Sequence, residues 1–390
     1  MIKMFAFFIH PRDHLDGVNY HDVERIKRAY GILPYNLWIP IGWFTKLLSL
    51  LSDKMKDKIL PLLPPFVTGR IYSDKKTEGW IVTIPMTARQ ILERADGSPK
   101  AKASLEKKIL QAVKLSKKMG AEIVGLGAMT APTTAGGRTL AGKVDGVGIT
   151  NGNALTAVIT IRGVETVARK AGVNLRTAKI AIVGATGSVG KATSLLLTKS
   201  LGRCELLLIS RSPGKLGQLK RMIEKENREA KITFSDKIEA IKCCDVVIVT
   251  TSSSETIIRK EHLKKGTIIY DDTQPRNVSR EIARDANFLV VDGGIVRISA
   301  VRNTMDIGLP ENSDMYACEC ETWLLSQEKK FGDFAIGSDV IKQAEEILAI
   351  ANRQSIPLAP FKSFGEPVFP EDYQRINRIR LKEGIGANNS

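Results

Sequence analysis

Residues 179–190 read Lys179-Ile180-Ala181-Ile182-Val183-Gly184-Ala185-Thr186-Gly187-Ser188-Val189-Gly190. A short run of strand character enters glycines spaced G-x-x-G-x-x-G, and helical periodicity follows to about Ser200. A strand that turns through glycine into a helix is the local pattern of a dinucleotide-binding βαβ unit. Glycine is needed where the chain turns sharply and its backbone approaches a pyrophosphate. The free N–H groups at the helix start then take the anion. Gly184, Ala185, Thr186, Gly187, Ser188, Val189 and Gly190 are therefore the expected phosphate cradle. A plain glycine turn is the alternative, and the flanking strand and helix weigh against it.

The βα alternation continues downstream. Strands are expected at 205–210, 231–234, 245–250, 267–271 and 288–292, with a Lys-rich helix over 214–225. Such alternation predicts an α/β fold with a doubly wound (Rossmann) parallel sheet, whose ligand crevice lies at the carboxyl ends of the strands. The second strand ends Leu208-Ile209-Ser210-Arg211. No carboxylate stands there to hold a free ribose 2′-hydroxyl. Ser210 and Arg211, with Lys215 close by, suit a 2′-phosphate, so NADP(H) is expected over NAD(H). Arg211 as a simple surface cation is the bland alternative. Thr250, Thr251, Gly293 and Gly294 end later strands and are small enough to admit a nicotinamide. Asp271 and Asp272 are read either as catalytic carboxylates or as loop caps.

Upstream, residues 1–150 are expected to form an α/β substrate-binding domain. Met4–Ile9 and Gly79–Pro85 read as strands, 86–95 and 100–119 as helices, and Ala121–Leu126 as a strand. The second helix has an apolar face of Leu105, Ile109, Ala112, Val113 and Leu115. Its other face carries Lys100, Lys107, Lys108, Lys114, Lys117 and Lys118. That face is read first as solvated and second as a docking site for an acidic partner. Two segments rich in small and hydroxyl residues, 125–130 and 133–137, are read as a phosphate or thioester wrap or as a flexible crossover. The stretch Leu37–Leu51, broken by Pro40 and Lys46, is shorter than the ~18 apolar residues of a membrane span. It reads as a buried helix, or, with Trp38, Trp43 and Phe44, as an interfacial element that contacts lipid. The remaining expected divisions are a linking helix over 151–176, the Rossmann domain over 177–297, a helical return segment over 298–370 and a fraying basic tail over 371–390.

Composition narrows the function classes. The 390 residues hold 58 Lys+Arg against 42 Asp+Glu, a net charge of +16, with 43% apolar and 26% charged residues. That balance excludes wholesale disorder, and the basic surface attracts anions. Aromatics are 6% and no basic block interleaves with them, so no nucleic-acid partner is expected. Five cysteines do not make a disulfide scaffold in a chain this long, and a reducing cytoplasm is the expected setting. Membrane association and a homo-oligomer are kept as alternatives. No metal spacing is visible among the cysteines and His10, His14, His21 and His262, and no metal is expected. Cys204, Cys243 and Cys244 read as packing residues. Cys318 and Cys320 fall in the first turns of a helix that Asp314 is expected to cap, where the helix dipole favours a thiolate. Glu319 and Glu321 oppose this, and are expected to point to solvent.

The run Asp314-Met-Tyr-Ala-Cys318-Glu-Cys-Glu-Thr-Trp-Leu-Leu resembles the cysteine motif of long-chain fatty acyl-ACP reductases, which form fatty aldehydes. So do Leu126-Gly127, Thr150-x-Gly152-Asn153-x-x-Thr156-Ala157, Val183-Gly-Ala-Thr-Gly187 and Asp292-Gly-Gly-Ile-Val296. They occur in the same order from about Trp80 to about Ala359. The resemblance implies that Cys318 takes an acyl group from a phosphopantetheine thioester and that NADPH reduces the thioacyl-enzyme. Acyl-carrier protein or acyl-CoA would bring the acyl group. Leu155 and Ala131 depart from the family, which tends to have His and Ser there. The residues fit such chemistry: a thioester calls for a soft nucleophile, and Asn153 with the Cys318 helix N-terminus are candidate donors to an oxyanion. Two other readings are carried: an amino-acid or hydroxy-acid dehydrogenase with Asp271 or a Lys as acid/base, and a non-catalytic NADP-binding regulator or lipid-binding protein.

Overall fold

Six strands, Lys179–Val183, Cys204–Ile209, Ala230–Ser235, Val246–Val249, Ile268–Asp271 and Leu289–Asp292, form one parallel sheet. Numbered in that sequence, their spatial order is 3-2-1-4-5-6. The order reverses at the glycine-loop strand, as the Rossmann topology requires. The structure, a computed structural model, describes residues 4–10, 55, 58–73, 78–253, 255–305, 307–309 and 311–384. The stretch Leu37–Leu51, His14, His21 and residues 385–390 lie outside the described residues.

The chain divides into two units, Met1–Gly152 with Ile298–Gly337, and Asn153–Arg297 with Ser338–Ser390. In the second unit five of the strands are nearly continuous apolar runs because both faces are covered, while the edge strand Ala230–Ser235 leaves Lys231, Thr233 and Phe234 exposed. Ile180, Ile182, Leu206, Leu208 and Ile248 pack on one face with Val164, Val167 and Leu195 of the helices Asn153–Lys170 and Ser188–Leu201. Ala181, Val183, Leu207, Ile209 and Val247 face the other way onto Ile241, Leu263 and Ile282. The helix Asn153–Lys170 is therefore part of the dinucleotide-binding unit and not a separate link.

The expected return segment is likewise divided, at Gly337–Ser338. The tail expected to fray is instead a helix, Pro370–Lys382, that buries Tyr373, Ile376 and Arg380. Its Arg380 donates to the Gly266 carbonyl at 3.2 Å and to Asp245 at 3.2 Å. Asp245 also accepts from the Lys179 N–H at 2.8 Å and pairs with Lys264 at 3.0 Å. The polar composition of the tail concealed a stripe of Tyr and Ile at helical spacing.

The first unit holds a mixed six-stranded sheet in the order Val301–Asn303, Phe66–Ser73, Glu78–Thr83, Met4–Ile9, Ala121–Leu126, Gly148–Thr150. Ala6, Phe8, Val82 and Val124 pack on Ile91, Leu105 and Ile109 of the helices Ala88–Ala95 and Pro99–Lys118. The helix Ala317–Gln327 crosses Met4–Ile9 and Ala121–Leu126. It comes so close to the sheet that a Cβ on Gly125 would lie 2.0 Å from Thr322 Oγ1. Among the described residues no helix is long and apolar enough to cross a membrane.

Candidate functional site

The phosphate loop is built by close backbone contacts. Gly184 has φ +86°, and both its N–H and that of Ala185 donate to the Ile209 carbonyl, at 2.9 and 3.1 Å. A Cβ on Gly190 would lie 2.3 Å from the Gly184 carbonyl oxygen, so only glycine lets the helix start this near the strand. Gly187 differs: its φ of −71° suits any residue, and a Cβ there would meet the Gly184 oxygen at 3.2 Å. No side chain caps the helix Ser188–Leu201, and the buried Ser188 hydroxyl has no partner among the described residues. Uncapped N–H groups with an orphaned hydroxyl at a helix N-terminus fit an anion such as a pyrophosphate. Thr186 Oγ1 lies 2.5 Å from Ser210 Oγ and joins the loop to the end of the second strand. There Ser210 is half-buried and Arg211 exposed.

The later strand ends are more occupied than their small residues suggest. Thr250 Oγ1 donates to the Val183 carbonyl at 3.0 Å, and Thr251 Oγ1 to Asn277 at 2.8 Å. A Cβ on Gly293 would lie 2.5 Å from the Tyr270 ring, and one on Gly294 2.0 Å from Asp272 Oδ1. These glycines thus make room for this chain's own side chains. Asp271 caps the following loop, accepting from Thr273 Oγ1 at 2.5 Å and from the N–H groups of Thr273 and Asn277. Burial raises its pKa to about 6 despite those bonds. Asp272 accepts from Thr160 Oγ1 at 2.6 Å, and burial raises it to about 7. Asp292 is held by Nε and Nη2 of Arg276, each at 2.9 Å, and by the N–H groups of Phe364 and Gly365. It is an anchor for the segment around Phe364.

The second centre lies in the first unit. Tyr316 precedes the helix Ala317–Gln327 as its N-cap with no side-chain bond to the first turn, and Asp314 belongs to a short strand upstream. The expected cap is therefore displaced by two residues. Cys318 becomes the second helical residue, within the first turn, where N–H groups lack intrahelical acceptors. Its side chain is half-buried. The Gly152 backbone, at φ +74°, lies against it: a Cβ there would sit 2.2 Å from Cys318 Cβ. Cys320 is fully buried, and burial with the neighbouring carboxylates drives its thiol well above the ordinary range. Glu319 and Glu321, expected in solvent, are both fully buried. Removal from water raises Glu319 to about 8, one of its oxygens is unpartnered among the described residues, and Asn303 Nδ2 reaches the other at 3.5 Å. Glu321 accepts a short hydrogen bond from Thr150 Oγ1.

Asn153 is the first residue of the helix Asn153–Lys170 and follows Gly152 directly in the chain. Leu155 is buried core, as is Ala131. The hydroxyls of 125–137 are not free to wrap a ligand. Thr130 Oγ1 donates to Gly127, Thr133 Oγ1 to Met129 and Thr134 Oγ1 to Thr130, each to a carbonyl within 2.7 Å. His10 Nε2 accepts from the Met129 N–H at 3.2 Å. Among the described residues no group of three or more His, Cys, Asp or Glu could hold a metal ion. Sequence reading missed Thr150 with Glu321. Only the i, i+3 spacing of Cys318 and Glu321, which puts them on one helix face, pointed that way.

The family model for shikimate/quinate 5-dehydrogenase matches residues 165–293. An aminotransferase, PigE, of a Serratia species is 26% identical over 309 residues, 78% of this chain and 34% of that protein. A long-chain acyl-[acyl-carrier-protein] reductase of Synechococcus elongatus is 28% identical over 200 residues, 49% of this chain and 56% of its own. The chain thus spans about a third and just over half the length of these relatives. Quinate dehydrogenase from Corynebacterium glutamicum in complex with NAD aligns over 97% of this chain and 99% of its own, at 12% identity and a TM-score of 0.36. The second unit is a Rossmann-like NAD(P)-binding domain of the dehydrogenase type.

Proposed function

We propose that this protein is an NAD(P)-dependent oxidoreductase that reduces a long-chain fatty acyl thioester to the aldehyde through a thioacyl-Cys318 intermediate. The observation that carries the reading is the contrast between the two cysteines. Cys318 is half-buried in the first turn of its helix, whereas Cys320 is sealed and held as a thiol. The ordered motifs from Trp80 to Ala359 and the similarity to the Synechococcus reductase support the substrate class. The shikimate/quinate match falls within the dinucleotide-binding unit, so it speaks to the half that a hydroxy-acid dehydrogenase would share.

Residues 184–190 would hold the pyrophosphate through helix N–H groups and Ser188 Oγ, and Arg211 with Ser210 would take a 2′-phosphate, which makes NADPH the favoured cofactor. The bound dinucleotide supplies the hydride. The Cys318 sulfur attacks the thioester carbonyl carbon. Its carbon–sulfur bond to the carrier breaks, and the carrier leaves as a thiol with the proton Cys318 gave up. N–H groups of the first helical turn are the candidate donors to the oxyanion of that step, with Asn153 a second candidate. After hydride delivery the carbon–sulfur bond to Cys318 breaks, the aldehyde leaves, and the thiolate regains a proton from solvent. Overall, acyl thioester, NADPH and a proton give aldehyde, carrier thiol and NADP⁺.

The carrier is proposed to be an acidic acyl-carrier protein. Lys100, Lys107, Lys114 and Lys118 recur along one exposed stripe of the helix Pro99–Lys118, without ion-pair partners among the described residues. Lys108, expected on the same face, is half-buried: it donates to the Leu63 carbonyl, and burial lowers its pKa. The deciding experiment incubates the protein with acyl-carrier thioester or acyl-CoA in the absence of NADPH and weighs the intact chain. An acyl adduct mapped to Cys318, released as aldehyde when NADPH is added, is expected. Aldehyde formation without an adduct, or no turnover of any acyl thioester, overturns the reading.

A further inference from the structure

Cys318 and Glu321 are three residues apart on the helix Ala317–Gln327 and so share one face, a turn apart. Against that face runs the segment 148–152. Thr150 Oγ1 donates to Glu321 and accepts from the Ala335 N–H at 3.3 Å. The segment is fastened on both sides of Thr150. Ile149 N–H donates to Asp333 Oδ1 at 2.8 Å, Asn151 N–H to the Ala335 carbonyl at 3.0 Å, and Asn151 Nδ2 to the Gly337 carbonyl at 2.9 Å. Two residues beyond Thr150, Gly152 takes its left-handed conformation and lays its backbone on the Cα and Cβ of Cys318. Thr150, Asn151, Glu321 and Gly152 all belong to the first unit, and the first three are fully or almost fully buried.

A buried carboxylate far from water is costly unless it accepts strong bonds. Packing Leu or Val in these positions would fill the same space without that cost. The pair instead gives a directional tie between the nucleophile's helix and the strand that leads to Gly152. We infer that Glu321, acting through Thr150, is a positioning residue that holds the Gly152 backbone against Cys318 and so fixes the direction of its thiol. The inference rests on the reading of Cys318 as the nucleophile.

The test uses the full chain and four variants. Thr150→Val and Glu321→Leu remove the tie; Thr150→Ser and Glu321→Gln keep a donor and an acceptor. Three measurements are made on each: kcat and KM with an acyl thioester, NADPH binding, and the rate at which iodoacetamide alkylates Cys318, followed by peptide mass. Thr150→Val is expected to lower kcat at least tenfold with KM within about twofold and NADPH binding intact. It is also expected to change the Cys318 alkylation rate more than threefold, and Thr150→Ser is expected to restore both values. Glu321→Leu and Glu321→Gln should divide in the same way. Thr150→Val with turnover and alkylation within twofold of the parent overturns the inference, as does failure of Thr150→Ser to restore either. If the parent protein itself forms no aldehyde from any acyl thioester, the proposed function fails. The alkylation rates then still report whether the tie orients the thiol.

Discussion

Cys318 and Cys320 are separated by a single residue, yet the helix turns them about 200° from each other. One is half-buried beside Gly152 and the other has no exposure. Cys318→Ala is therefore expected to abolish both acyl-adduct and aldehyde formation while NADPH binding survives. Cys320→Ala should keep most turnover and cost roughly 1 kcal/mol of stability, since it removes a sulfur from a packed core. Thermal melting and adduct mass on the two variants check this, and an adduct on Cys320 would reverse the assignment. Glu319 adds a pH dependence. Burial raises its carboxyl to about 8, above the free value near 4.5, so the folded chain holds this proton more tightly than the unfolded one. Its contribution to stability is fully present below pH ~4.5 and is lost as pH rises through about 8. Glu319→Gln removes the ionisation, so the fall in melting temperature between pH 5 and pH 9 should be smaller than in the parent. An unchanged pH slope would show that Glu319 ionises without cost. The sequence could not reveal this burial: two Glu flanking a cysteine look solvent-facing until the helix is packed onto the strands Met4–Ile9 and Ala121–Leu126.

The phosphate loop gives a sharper test, because its glycines serve different ends. Gly190 is required by the fold, since a methyl group added there would stand only 2.3 Å from the Gly184 oxygen. Gly187, with an ordinary φ and a looser contact, is required only if a ligand backbone or phosphate comes close. Gly187→Val is expected to lose NADPH binding by fluorescence titration with its melting temperature little changed. Gly190→Ala is expected to melt lower. Normal NADPH binding by Gly187→Val would mean that the loop holds no dinucleotide. One strand on, Arg211→Asp should weaken NADPH by about 2–4 kcal/mol by replacing a charge-assisted contact with repulsion, and leave NADH nearly untouched. Equal losses for both cofactors would return Arg211 to the surface. The Rossmann strands were legible because buried parallel strands are short apolar runs punctuated by glycine, and their ends fell within a residue or so of expectation. The strands Gly148–Thr150 and Val301–Asn303 were not legible, because three residues carry no period and pairing with distant strands alone defines them. Gly293 and Gly294 have a second reason to be small that the sequence did not show: a Cβ on either would meet Tyr270 or Asp272.

The net charge of +16 acquires a direction on the helix Pro99–Lys118. Ser98 caps its start by accepting from the Ala101 N–H at 3.3 Å, and Leu105, Ile109, Ala112 and Val113 bury one side. The opposite side presents Lys100, Ala103, Ser104, Lys107, Gln111, Lys114 and Lys118, all exposed, over a length of about 27 Å. That stripe contains no carboxylate to neutralise it and no large apolar side chain to enter a lipid surface. On the proposed function, that stripe is the surface that would meet the acidic carrier. Exposed charges of this kind each contribute little, about 0.2–1 kcal/mol per pair, and act mainly on encounter rate. Four acting together are enough to matter. Reversing Lys100, Lys107, Lys114 and Lys118 to Glu should raise KM for an acyl-carrier thioester on the order of tenfold and flatten its dependence on salt. KM for acyl-CoA should hardly move, because that carrier presents its anionic groups as a single small molecule and not along a protein helix. Lys108→Met serves as the control: it lies outside the stripe, is engaged with Leu63, and should alter stability without separating the two substrates. Steady-state kinetics at several salt concentrations would show the difference. Parallel losses on both carriers, or none, would leave the lysines as an ordinary solvated face.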